Sequence, residues 1–237
     1  MDKLSRRDAV KASAGVVAGL AAIAATPGRL AAAVHTARRG KQAARIRFAV
    51  IGANHNHIYG QVGAATRGGG EFAAYYVREP EIRADFAKRY PNVKAVADER
   101  AILEDPSIQL VLSSIVPIER APLGIRVLQH GKDYMSDKPG IVTMAQLAEV
   151  RRVQKETKRI YSILFSERLE VPAAVKAGEL VKAGAIGTVV QTVGLGPHRV
   201  TPASRPEWFW DVANYGGILC DIGSHQADQF LFYTGST

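Results

Sequence analysis

The chain has 237 residues, of which 47% are hydrophobic, and carries a formal net charge of +9. That length and composition suit one large domain or two small ones and exclude a chain disordered over most of its length. A single cysteine, Cys220, excludes an intramolecular disulfide, a zinc ribbon and a CxxC redox site. The first 33 residues hold five Lys/Arg against two Asp, which leaves +6 over the remainder. An excess of that size favours anionic ligands weakly. No basic stripe interleaved with aromatics is present, so nucleic acid is not an expected partner.

In chain order, the amino terminus reads first as a targeting segment. Ser5-Arg6-Arg7-Asp8 precedes a largely apolar run from Ala12 to Ala25, broken by Thr26-Pro27-Gly28 and followed by Ala31-Ala32-Ala33. Charged, apolar and small-residue regions in that order make an export signal over 1–33, followed by a linker over 34–44. The paired arginines are similar to a bacterial twin-arginine signal, which implies export to the periplasm. The run is too short and too rich in Ala and Gly for a stable membrane span.

Ile46 to Ile51 is a short apolar run ending at Gly52 and predicts a buried first strand. A second strand is expected over Phe72–Val77, a helix over Glu81–Tyr90 and a third strand over Leu110–Leu112. Then come a helix over Ala121–His130, a short strand over Asp133–Ser136, a long helix over Thr143–Lys158 and a strand over Ile160–Phe165. Strands separated by helical stretches of this length imply crossover units, hence a doubly wound parallel sheet of the Rossmann type over 45–166. After Ser166 the pattern changes. A helix is expected over Val171–Ala183, a strand over Thr188–Gly194 and a helix over Asp221–Tyr233. Residues 167–237 thus read as the start of an incomplete α+β domain.

The first strand runs into Gly52-Ala53-Asn54-His55-Asn56-His57. A dinucleotide-binding turn places glycine at the first, third and sixth of these positions. Only Gly52 matches; Asn54 and His57 stand at the other two. Backbone amides at the helix start still suit a phosphate, so Gly52, Asn54, His55, Asn56 and His57 are candidate cofactor contacts. His55 and His57 form a His-x-His pair, but no third convergent ligand stands nearby in sequence, and no metal is expected. At the end of the second strand Glu79 would hold the ribose of NAD, whereas Arg78 would suit the 2′-phosphate of NADP. Both remain open at this point.

Two later motifs carry chemistry. Asp137-Lys138-Pro139 follows a short strand, and Gly216-Gly217-Ile218-Leu219-Cys220-Asp221-Ile222-Gly223-Ser224-His225 runs on to Asp228. Asp221, His225 and Asp228 would share one face of a continuous helix. A carboxylate beside an imidazole fixes its tautomer and raises its basicity. From Arg45 onward the chain resembles the Gfo/Idh/MocA family. The first motif is similar to that family's Glu-Lys-Pro, with Asp for Glu. The second resembles its Gly-Gly-x-Leu-x-Asp-x-Gly-x-His-x-x-Asp.

The resemblance implies a nicotinamide-dependent oxidoreductase using NAD or NADP on a sugar, polyol or related carbohydrate. It implies Lys138 at the nicotinamide and the reacting carbon, His225 as the base, and Asp221 orienting His225. Ser114 and Pro117 match the family's cofactor loop, and Asp228, Trp210 and Tyr215 are candidate substrate contacts. An NAD-dependent glycosidase, with His198, His57 or Tyr215 as extra proton donor, is the alternative within the family; a non-catalytic sugar- or nucleotide-binding protein is the alternative outside it. Family members form homo-oligomers through a sheet beyond this last helix, and the chain reads as truncated before that sheet.

Overall fold

The computed structural model describes residues 46–236. Residues 1–45, on which the export-signal and linker readings fall, lie outside the described residues. Six strands form one parallel sheet: β1 (Ile46–Ile51), β2 (Gly70–Tyr76), β3 (Lys94–Ala95), β4 (Leu110–Ser113), β5 (Asp133–Asp137) and β6 (Tyr161–Leu164). Their order is β3-β2-β1-β4-β5-β6, and every paired strand is parallel. Alternate residues of β1 supply the two faces. Ala49 and Ile51 pack with Leu123, Val127 and Val153, while Phe48 and Val50 pack with Ile58, Val62 and Phe86. Helices therefore cover both faces, as an apolar parallel sheet requires.

On one face lie α1 (His57–Arg67) and α2 (Pro80–Arg89); on the other lie α3 (Arg100–Leu103), α4 (Pro117–Gln129) and α5 (Met144–Thr157). Proline opens both α2 and α4 at a position where its missing N–H has no helical partner to lose. For that reason α4 begins at Pro117, ahead of the expected Ala121. The chain runs from β1 outward to β2 and β3, then returns to β4. The reversal leaves a crevice at the carboxyl ends of β1 and β4, where ligands of such sheets bind.

Beyond β6 come α6 (Ser166–Leu169), α7 (Pro172–Lys182), α8 (Val212–Tyr215), α9 (Ile218–Asp221) and α10 (Gly223–Thr234). Two expectations are corrected here. Thr188–Gly194 forms no strand, and Val190 and Val193 are 92% and 79% exposed. Among the described residues no neighbouring strand is positioned to accept its backbone hydrogen bonds, and β-branched composition does not hold an unpaired strand. The helix expected over Asp221–Tyr233 is two pieces, α9 and α10, divided at Ile222.

Helix α4 lies tight against the β5–β6 edge. A Cβ on Gly124 would come within 2.3 Å of Tyr161 and 2.6 Å of Tyr134, the latter fully buried. Gly124→Ala therefore lowers stability by about 1–3 kcal/mol through overpacking, seen as a reduced melting temperature with unchanged far-ultraviolet dichroism.

Candidate active site

The crevice is built from the carboxyl ends of four strands. Gly52 turns the chain out of β1 with φ +79°, and a Cβ there would stand 1.7 Å from the Ile115 side chain. Only glycine meets both conditions. The turn is pinned to β4 by Ser114. Its carbonyl accepts from the His55 amide at 3.0 Å, and its hydroxyl donates to the His55 carbonyl at 2.7 Å. Among the described residues the amides of Asn54, Asn56 and His57 keep no such partner, so they are available to an anion at the start of α1.

The last residue of β5, Asp137, is 2% exposed and gathers three side chains. His55 Nδ1 lies 2.8 Å from its Oδ2, His57 Nδ1 2.9 Å from its Oδ1, and Arg120 Nη2 donates to Oδ2 at 3.1 Å. Burial alone would raise this carboxyl. The Arg120 guanidinium and the two histidine contacts outweigh burial and hold it far below the usual carboxylate range. Arg120 also donates to the carbonyls of Ile115 and Lys138, so it is fixed in place. Burial in turn pushes His55 below the usual imidazole value, against the pull of Asp137. The His-x-His pair thus has its third convergent group after all, some eighty residues away in sequence.

The next residue, Lys138, faces the carboxyl-terminal segment. Its Nζ donates to Asp221 Oδ1 at 2.6 Å, with both groups largely buried. This corrects the expected role of Asp221, which holds Lys138 and makes no hydrogen bond to His225. The expectation assumed one helix; α9 ends at Asp221 and α10 begins at Gly223, and the Asp221 carboxylate is taken up by Lys138. The carboxylate nearest His225 is Glu167, whose Oε1 lies 3.9 Å from Nε2, while Nδ1 is buried without a partner. Burial, ahead of the opposing pull of Glu167, keeps His225 below the usual imidazole value, and Lys138 adds to the effect. A neutral imidazole results, which can accept a proton.

Lys138, His225, Asn54, His55, Asn56 and His57 line one cavity of about 590 Å³. Glu167, His198 and Arg205 complete its charged lining. Glu167 and Arg205 are not among the residues expected at the site from sequence, and His198 is expected only as an alternative proton donor. Neither the loop holding His198 and Arg205 nor the short helix holding Glu167 carries a motif. Three expected substrate contacts do not line this cavity. Asp228 pairs with Arg168, Tyr215 stacks on Phe209 and Trp210 is 55% exposed. Gly52, Arg78 and Glu79 lie in an adjoining hollow of about 110 Å³ with Asn54 and Glu119. Ser114 is fully buried beneath the turn, and Pro117 opens α4 beside it.

Residues 46–165 match the model of an oxidoreductase family with an NAD-binding Rossmann fold, and residues 174–237 match the GFO/IDH/MocA C-terminal domain. A crystal structure of a protein from Erwinia carotovora atroseptica SCRI1043, whose own oxidoreductase assignment is provisional, is 44% identical with a TM-score of 0.78. The match covers 81% of this chain and 57% of that one. The levoglucosan dehydrogenase of Pseudarthrobacter phenanthrenivorans is 26% identical over 159 residues, covering 66% of this chain and 40% of the relative. The NADP-dependent scyllo-inositol 2-dehydrogenase of Bacillus subtilis is 24% identical over 158 residues, covering 67% and 42%. The chain spans less than half the length of these curated relatives.

Removing Asp221 strands the Lys138 ammonium in a nearly dry site. Asp221→Leu costs about 3–5 kcal/mol of stability, and the double variant Lys138→Met/Asp221→Leu recovers most of it, as read by denaturant unfolding.

Proposed function

This chain belongs to the Gfo/Idh/MocA oxidoreductase family, and on that premise we propose that it transfers a hydride between a nicotinamide dinucleotide and a hydroxyl-bearing carbon of a sugar or polyol. The observation that carries the reading is the meeting of Lys138 and His225, from the sheet edge and from α10, in one cavity with the β1–α1 turn. The turn fits a dinucleotide: Gly52 has the required positive φ, and open amides stand at the start of α1. His57 stands where a third glycine is usual, and its ring is turned to Asp137, with Nδ1 2.9 Å from Oδ1.

When bound, the nicotinamide supplies the hydride acceptor or donor. His225 takes the hydroxyl proton on Nε2, the nitrogen facing Glu167. The Lys138 ammonium, steadied by Asp221, stabilises charge on the substrate oxygen. In the adjoining hollow, Glu79 Oε2 is buried without a partner at the end of β2. Arg78 is engaged by Glu79 at 3.2 Å and Glu119 at 3.6 Å. A carboxylate with one oxygen open suits a ribose 2′-hydroxyl and repels a 2′-phosphate, so this reading favours NAD over NADP. Export through the twin-arginine-like segment belongs to the same proposal, and a reporter fused behind residues 1–33 tests it by its periplasmic recovery.

The decisive measurement is NADH fluorescence titration of the purified chain, followed by turnover on levoglucosan, scyllo-inositol and common hexoses. NADH binding is expected, with His225→Ala and Lys138→Met each lowering turnover by roughly 10²–10⁴ while binding persists. Absence of NADH binding overturns the reading. Glu79→Ala is expected to weaken NADH by roughly 10- to 150-fold, in line with loss of a charged hydrogen bond of about 1.5–3 kcal/mol, and to narrow the gap to NADPH.

A further inference from the structure

The family reading leaves one cluster unexplained. His55, His57 and Asp137 bring two imidazoles and a carboxylate together, with one possible ligand atom from each lying within 4.8 Å of the others. We propose that these three side chains bind one divalent first-row cation, best Zn²⁺, at the mouth of the crevice.

The donor set is the first argument. Two imidazoles and one carboxylate suit Zn²⁺ better than Mg²⁺ or Ca²⁺, which prefer oxygen. Geometry is the second. Ligands of a tetrahedral zinc lie about 2.0–2.2 Å from the ion, which sets neighbouring donors roughly 3.3 Å apart. His57 Nδ1 already faces Oδ1 at 2.9 Å, whereas His55 Nδ1 faces Oδ2 at 2.8 Å, so the His55 ring must turn toward Oδ1 for one ion to take all three groups. The backbone is held in place by Ser114 and by the parallel register of β4 with β5.

The third argument is electrostatic, and Arg120 is the obstacle it must meet. Its guanidinium sits on Asp137 Oδ2, so the carboxylate would bind the ion through Oδ1 alone. A fixed donor on the second oxygen is a usual way of orienting a ligating carboxylate. The charge of Arg120 is offset from the other side. A hollow of about 70 Å³ beside His57 and Asp137 is lined also by Ser166 and Glu170. Among the described residues the Glu170 carboxylate has no ion-pair partner. It lies outside the three-ligand group, on the wall of that hollow, where a bridging water can link it to the ion. Asp137 and Glu170 together exceed the charge of Arg120, so the pocket welcomes a cation. The competing account is a closed hydrogen-bond network in which both Nδ1–H groups serve Asp137 and no ion enters.

Untagged full chain, stripped with EDTA and passed through gel filtration, is titrated with ZnCl₂ by calorimetry and with CoCl₂ by visible absorption. About one equivalent of Zn²⁺ should bind, and Co²⁺ should show the intense bands of a low-coordinate nitrogen–oxygen site. His55→Ala and His57→Ala should each weaken Zn²⁺ by about a hundredfold, and Glu170→Gln by about tenfold. His198→Ala, in the large cavity but outside the cluster, should change nothing. Asp137 itself is a poor probe because its loss strands Arg120; the histidine variants are checked by thermal unfolding. No saturable Zn²⁺ binding, or binding indifferent to both histidine substitutions, overturns the proposal. The titration needs neither nicotinamide nor sugar, so its failure is separate from a failure of the hydride-transfer reading.

Discussion

Two consecutive residues at the end of β5 hold the site together. Asp137 and Lys138 follow one another where the pleat gives way to the loop, and their side chains serve opposite partners. The carboxylate gathers the β1–α1 turn and helix α4 through His55, His57 and Arg120. The ammonium gathers the carboxyl-terminal segment through Asp221. Each interaction is nearly dry, and a buried charge left alone is expensive. The two contacts therefore act as constraints on position: the turn and the terminal segment must sit where these two charges are met. The crevice between them is the space left once both constraints are satisfied.

Much of this was legible in the sequence because it rests on local rules. Ile46–Ile51, Leu110–Leu112 and Ile160–Phe165 read as strands because short apolar runs bounded by turn residues have few other stable settings. The helices between them forced a parallel sheet. Lys138 and His225, which line one cavity, each sit in a short motif with distinctive neighbours. Where local rules failed, a long-range contact decided. Asp221 was placed by a helical spacing that Ile222 interrupts. Glu167, His198 and Arg205 have no sequence signal, since a cavity wall is a property of three segments meeting. Thr188–Gly194 had strand-like composition without a strand beside it. The Asp137–histidine contact bridges about eighty residues, beyond what spacing alone can suggest.

The electrostatic balance of the cavity follows from the same placement. Lys138 meets Asp221, and Glu167 stands between His198 Nε2 at 3.4 Å and His225 Nε2 at 3.9 Å. Lys138 is therefore partnered across the wall, and the Glu167 carboxylate stands within reach of both imidazoles. A hydroxyl both donates and accepts, so it can pair with either kind of group on such a wall. Arg205 departs from this pattern. Its guanidinium is held by the carbonyls of Val200 and Arg199 and lies 4.4 Å over the Phe209 ring.

The turn after β1 also separates two reasons for which a glycine is retained. Gly52 has a backbone angle that L-residues avoid and a methyl-sized gap already filled by Ile115. No repacking relieves the first restriction, and the second adds a clash with Ile115 for any side chain. The sixth position asks only for room, and a ring that rotates away toward a neighbouring strand meets the request. A pattern of three glycines thus mixes a rule of stereochemistry with a rule of volume.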